Sequence, residues 1–73
     1  MDRSEKALRK FGRRLTELRE QKELTIRDLA RRSGLDARQI GRIEAGKVNL
    51  LFSTILALAR GLGISPEELL ESL

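Results

Sequence analysis

The side chains that ordinarily carry covalent or metal chemistry are missing from this chain: of its 73 residues none is histidine and none is cysteine. Without an imidazole or a thiol there is no visible nucleophile with its base and no zinc-type ligand set, so neither an enzyme nor a cofactor is expected. Glu67 and Glu68 are the nearest approach to a catalytic carboxylate pair. They follow Ser65 and Pro66, which makes them the first-turn acids of a helix start. Cations are what the chain holds in quantity. Fifteen Lys and Arg stand against eleven Asp and Glu, and residues 61–73 carry three of those acids and no base, which leaves residues 1–60 with a net of +7. An excess of that size on a small body draws polyanions, and it equally fits a solvated surface; charge alone does not choose.

The elements that must position these cations are legible from periodicity and caps. Leu8, Phe11, Leu15 and Leu18 form one stripe of an amphipathic helix over about residues 4–22. Thr25, with Asp28 three residues on, is a variant capping box that opens a second helix reaching about Ser33, and Gly34 ends it. Asp36 caps a third helix whose buried side is marked by Leu35, Ile40 and Ile43 and which stops at Gly46. After a loop over residues 47–51, the set Phe52, Ile55, Leu58, Ala59 and Leu62 predicts a fourth helical stripe closed by Gly63. Ser65-Pro66-Glu67-Glu68 then opens a fifth, with proline at its first position. No run alternates at period two, so the fold class is all-α: five helices in one domain over residues 1–73, with an ordered core over about residues 4–71.

A domain this small buries only roughly 60% of the surface of its unfolded chain, so a partner chain would help to support it. Apolar runs are short, and Met1 is followed by charged Asp2 and Arg3, which predicts neither a membrane span nor a signal peptide. A cytoplasmic protein is the expectation. No membrane partner and no small-molecule ligand is evident.

Leu29, Ala30, Gly34, Leu35, Ile40 and Ile43, framed by the polar caps, make a helix-turn-helix. Ala30 is small where the third helix crosses, Gly34 permits the positive φ of a tight turn, and the two isoleucines pin one face of the third helix to the body. Its other face is left for solvent or DNA. On these residues, together with Leu15, Leu18-Arg19, Arg42-Ile43-Glu44, Gly46, Asn49, Leu58-Ala59, Leu62-Gly63 and Leu69, the chain from about residue 11 to residue 70 resembles the Cro and phage-repressor helix-turn-helix family, the xenobiotic-response-element type. That resemblance implies a lambda-repressor-like five-helix bundle that binds operator DNA, usually as a two-fold dimer and usually as a repressor of transcription.

The resemblance also implies roles for individual residues. The base-reading positions fall on Ala37, Arg38, Gln39 and Arg42, and these side chains suit base edges, since arginine bonds guanine O6 and N7, glutamine bonds adenine N6 and N7, and an alanine methyl meets a thymine methyl. Phosphate anchors map to Thr25, Ile26, Arg27, Lys47 and Asn49, with Ile26 standing where the family commonly has glutamine and Leu50 where it often has proline. Arg19 and Glu44 occupy the positions of a structural salt bridge between the first helix and the end of the third. Leu50, Leu51 and Phe52, joined by Leu69, Leu70 and Leu73, are candidates for an apolar homodimer interface, the alternative being that they close the monomer core. Double-stranded DNA is the expected partner. A protein-interaction module that reuses the same fold is the competing function, and a phage-type repressor, an antitoxin and a restriction-modification controller would all read much alike.

Overall fold

The structure is a computed structural model that describes residues 3–71 and 73; the charged start at Met1 and Asp2 lies outside the described residues. Among the described residues five helices follow in order: α1 Arg3–Gln21, α2 Ile26–Ser33, α3 Ala37–Glu44, α4 Phe52–Leu62 and α5 Pro66–Leu69. No strand occurs among the described residues, and no helix there is long and apolar enough to cross a membrane. The body measures 34 × 23 × 21 Å.

Each boundary has a local cause. Helix α1 stops where Glu23 takes a left-handed φ of 57°, which lets the Leu24 N–H reach back to the Arg19 carbonyl at 3.1 Å. The Thr25 hydroxyl oxygen accepts from the Asp28 N–H at 3.0 Å while the Asp28 carboxylate accepts from the Thr25 N–H at 2.9 Å, so the capping box closes in both directions. Gly34 ends α2 at φ 79° and donates to the Ala30 carbonyl at 2.9 Å, a conformation that an L-side chain adopts only with strain. Helix α3 ends at Glu44, two residues before Gly46, because Ala45 is the cap and the Lys47 N–H returns to the Arg42 carbonyl at 3.0 Å across the left-handed glycine. Ser65 accepts from the Glu68 N–H at 3.1 Å and Pro66 occupies the first position of the single turn of α5.

Packing joins α2 to α4, α3 to α1 and α2, and α5 to α4. Phe11, Leu15, Leu18, Leu29, Ile40, Ile43, Leu58, Ala59, Leu62 and Leu69 are buried together in one core. Helices α1 and α3 meet closely at Gly12, where a Cβ would collide with the Glu44 carbonyl oxygen and come within 2.7 Å of that of Ile43. Polar ties reinforce the seams: Arg32 Nε donates to the Gly61 carbonyl at 2.7 Å, and Arg14 donates to the Glu68 carbonyl at 3.1 Å and to Glu71 at 3.3 Å.

Two sequence expectations are corrected by this packing. Phe52 belongs to the α4 helix but not to its buried stripe: it is 69% exposed, because the buried side of α4 carries Thr54, Ala57, Leu58, Gly61 and Leu62. Leu69, expected at a dimer surface, is fully buried, because the α5 turn lays it into the core beside the end of α4. Leu50 and Leu70 are half-buried against that core, and Leu73 lies against α1 in a hollow with Lys6, Ala7 and Lys10. The six leucine and phenylalanine positions therefore do not make one patch. Leu51, Phe52 and Leu73 remain exposed, and the first two are joined one turn along by Leu56, which the sequence pattern did not single out.

Candidate nucleic-acid interface

Helix α3 turns Ile40 and Ile43 into the core, which leaves Arg38 and Arg42, one turn apart, on the side away from it. Arg38, Gln39 and Arg42 are exposed, and no described residue takes any of their side chains in a hydrogen bond or ion pair. Ala37 is half-buried beside them. The Asp36 carboxylate is spent on the Arg38 N–H at 2.8 Å, which starts the helix and fixes where its first turn points. An open groove of about 430 Å³ runs along this helix, lined by Arg38, Gln39, Arg42, Asn49, Leu50 and Leu51 among others. Asn49, expected as a phosphate anchor outside α3, is thus brought to the same groove.

The engaged arginines make a useful contrast. Arg14 and Arg32 tie helices together, Arg31 sits 2.6 Å from Asp28, and Arg19 is held by Glu44. Of the expected phosphate anchors, Arg27 and Lys47 are exposed and carry no such partner. At the start of α2 the Thr25 oxygen accepts within the cap, which leaves its hydroxyl hydrogen free to donate, and the Ile26 and Arg27 N–H groups have no partner. Ile26 turns its side chain partly onto the core. Thr25, Ile26 and Arg27 line neither the α3 groove nor the hollow described next.

That hollow, about 440 Å³, brings Lys47 and Asn49 together with Ser4, Glu5 and Arg9 of α1. Arg9 was not singled out by the sequence. It arrives because Gly46 has no side chain: a Cβ there would stand 3.0 Å from the Arg9 Cα and 2.9 Å from its Cγ. No local spacing links residue 9 to residue 47, so only the packing of α1 over the end of α3 makes the pair.

Arg19 and Glu44 clamp this end of α3 from below. Their side chains are 12% and 9% exposed, with Nε to Oε2 at 2.7 Å and a second contact from the guanidinium to Oε1 at 3.1 Å. Thr16 donates to the same carboxylate at 2.9 Å, and Arg19 also donates to the Leu24 carbonyl at 2.7 Å. The hydrogen bonds to Glu44 hold the Arg19 pKa above its already high ordinary value, against the opposing effect of burial, so the guanidinium stays ionised at any working pH. Asp28 is shifted the other way. Its hydrogen bonds with Thr25, backbone first and then side chain, lower its pKa, with a further contribution from Arg31.

Among the described residues no group of three or more acidic, histidine or cysteine side chains is placed to hold a metal ion. A two-helix unit with a glycine turn, an outward second helix bearing unpaired Arg, Gln and Arg, and a cationic rim define a helix-turn-helix domain. The chain belongs to that family: the helix-turn-helix domain family model matches residues 10–73. It is of the Cro and phage-repressor kind and is a DNA-binding regulator of transcription. Among solved structures it is similar to the crystal structure of the restriction-modification controller protein C.AhdI from Aeromonas hydrophila, at 48% identity and a TM-score of 0.83 over 85% of this chain and 94% of that one. No curated protein matches it.

Proposed function

We propose that the chain is a repressor that binds a palindromic operator as a homodimer, each protomer laying α3 into the major groove. The observation that carries this reading is the exposed α3 face on which Arg38, Gln39 and Arg42 stand together with no partner among the described residues. Arg38 and Arg42 read guanine, Gln39 reads adenine, and Ala37 offers a methyl to thymine. The free N–H groups of Ile26 and Arg27, the Thr25 hydroxyl and the Arg27 side chain grip phosphate on one side; Lys47 and Asn49, joined by Arg9, grip it on the other. The likeness to a restriction-modification controller supports a role in controlling the genes of such a system.

Leu51, Phe52 and Leu56 supply the apolar contact between protomers, since they are exposed large side chains on and beside one turn of α4. A two-fold pair would set its recognition helices about 34 Å apart, one turn of DNA. Selection of bound sequences from a random duplex pool tests the DNA binding, the palindrome and the dimer together. The expected result is a palindrome with half-sites about one turn apart; enrichment of no motif, or of a single unpaired half-site, would count against it. Steep weakening of binding between low and moderate salt is also expected, whereas a mainly apolar protein contact on the same face would be insensitive.

A further inference from the structure

Gly41 is a glycine for which the fold gives no reason. It sits inside α3, where glycine is the poorest helix former after proline, yet its φ is ordinary for a helix and a Cβ built on it meets nothing within 4 Å. Gly34, Gly46 and Gly63 have left-handed φ, and Gly12 and Gly61 lie under close contacts from other helices. Alanine at position 41 would therefore fit the free protein and strengthen its helix. The space is empty on a particular side: Gly41 is half-exposed, three residues after Arg38 and next to Arg42, both unpaired.

We propose that Gly41 is a specificity-determining position at which the duplex approaches the α3 backbone itself, so that the missing side chain lets Arg38, Gln39 and Arg42 reach the base edges. This rests on the reading of α3 as the base-reading helix. A methyl group there would hold the helix off the floor of the groove, lengthening base contacts while leaving the more flexible lysine and arginine contacts to phosphate able to adjust. Helix stability is given up in the free protein for proximity in the complex.

The test compares the wild type with Gly41→Ala and Gly41→Leu, measuring urea unfolding and affinity for two duplex oligonucleotides at one salt concentration: the sequence recovered from the random pool and a scrambled version of it. Gly41→Ala should unfold at higher urea than the wild type. Its affinity for the recovered sequence should fall at least about tenfold, with affinity for the scrambled duplex unchanged within about twofold. Gly41→Leu, a good helix former with a longer side chain, should fall further on the recovered sequence alone. An alanine variant that keeps its affinity to within tenfold overturns the proposal, and so does one that loses equally on both duplexes. A lower urea midpoint for Gly41→Ala overturns it as well, since the glycine would then serve the fold. If the pool yields no preferred sequence for the wild type, the DNA reading of α3 fails first, which is a different result from a wild type that selects and an alanine variant that binds as well.

Discussion

Arg38 and Arg42 are free because the acids near them are committed elsewhere: Asp36 to the helix cap and Glu44 to Arg19. Arg38→Ala or Arg42→Ala should each cost about 1 to 3 kcal/mol of operator binding and relax the preferred sequence, with thermal unfolding unchanged. Competition between single-base operator variants measures this, and unaltered preference would remove the residue from the reading set. Lys47→Ala should behave differently, weakening all duplexes alike and lowering the slope of log affinity against log salt by about 1. Arg19 belongs to the protein rather than to the DNA. Arg19→Ala leaves the Glu44 carboxylate buried with only Thr16 to donate to it, at a cost of about 3 kcal/mol in denaturant unfolding. Loss of less than about 1 kcal/mol would mean that the pair is solvated in solution.

At the scale of the helix, the capping box of α2 joins stability to pH. Because the folded Asp28 pKa is depressed, its contribution is fully present above the ordinary aspartate value of about 3.9 and is lost as the pH falls through the folded value. Asp28→Asn should therefore be less stable than the wild type at neutral pH, with the gap closing below about pH 4. Urea midpoints measured across that range check it, and a gap independent of pH would assign the loss to the hydrogen bond rather than to the charge. Helix α1 is seated on α3 through Gly12, and Gly12→Ala must push back the carbonyls at the end of α3. A loss of about 1 to 3 kcal/mol is expected. That substitution should also weaken operator binding, since Glu44 and Ala45 end the helix that carries Arg42.

For the molecule as a whole, the exposed leucine and phenylalanine side chains divide the dimer question cleanly. Phe52→Ser with Leu56→Ser should leave the fold intact, because neither side chain is in the core, yet shift the mass in sedimentation toward the monomer and weaken operator binding at low protein concentration. A mass equal to that of the wild type across concentrations would move the interface elsewhere. Leu69→Ala should do the reverse and destabilise each chain by about 2 to 5 kcal/mol, since it empties a fully buried site. The small size of the domain makes either loss a large fraction of its stability.

The five helices, their caps and the helix-turn-helix were legible in the chain because each depends on neighbours within one or two turns. The apolar stripe of α1, the Thr25–Asp28 box, Gly34 and Ser65-Pro66 are local devices, and the helix bounds they predict agree with the structure to within about two residues. Tertiary packing decided what local pattern leaves open. Phe52 and Leu69 are both large apolar residues at helical spacing, yet one is 69% exposed and the other fully buried, since burial is set by which side of a helix meets another helix. The placing of Arg9 and Lys47 on one hollow, the close seat at Gly12 and the placing of Asn49 on the groove that Arg38 lines all bring together residues far apart in the chain. Spacing along a sequence carries no record of such contacts, whereas the periodicity of a helix and the chemistry of its ends are written into it residue by residue.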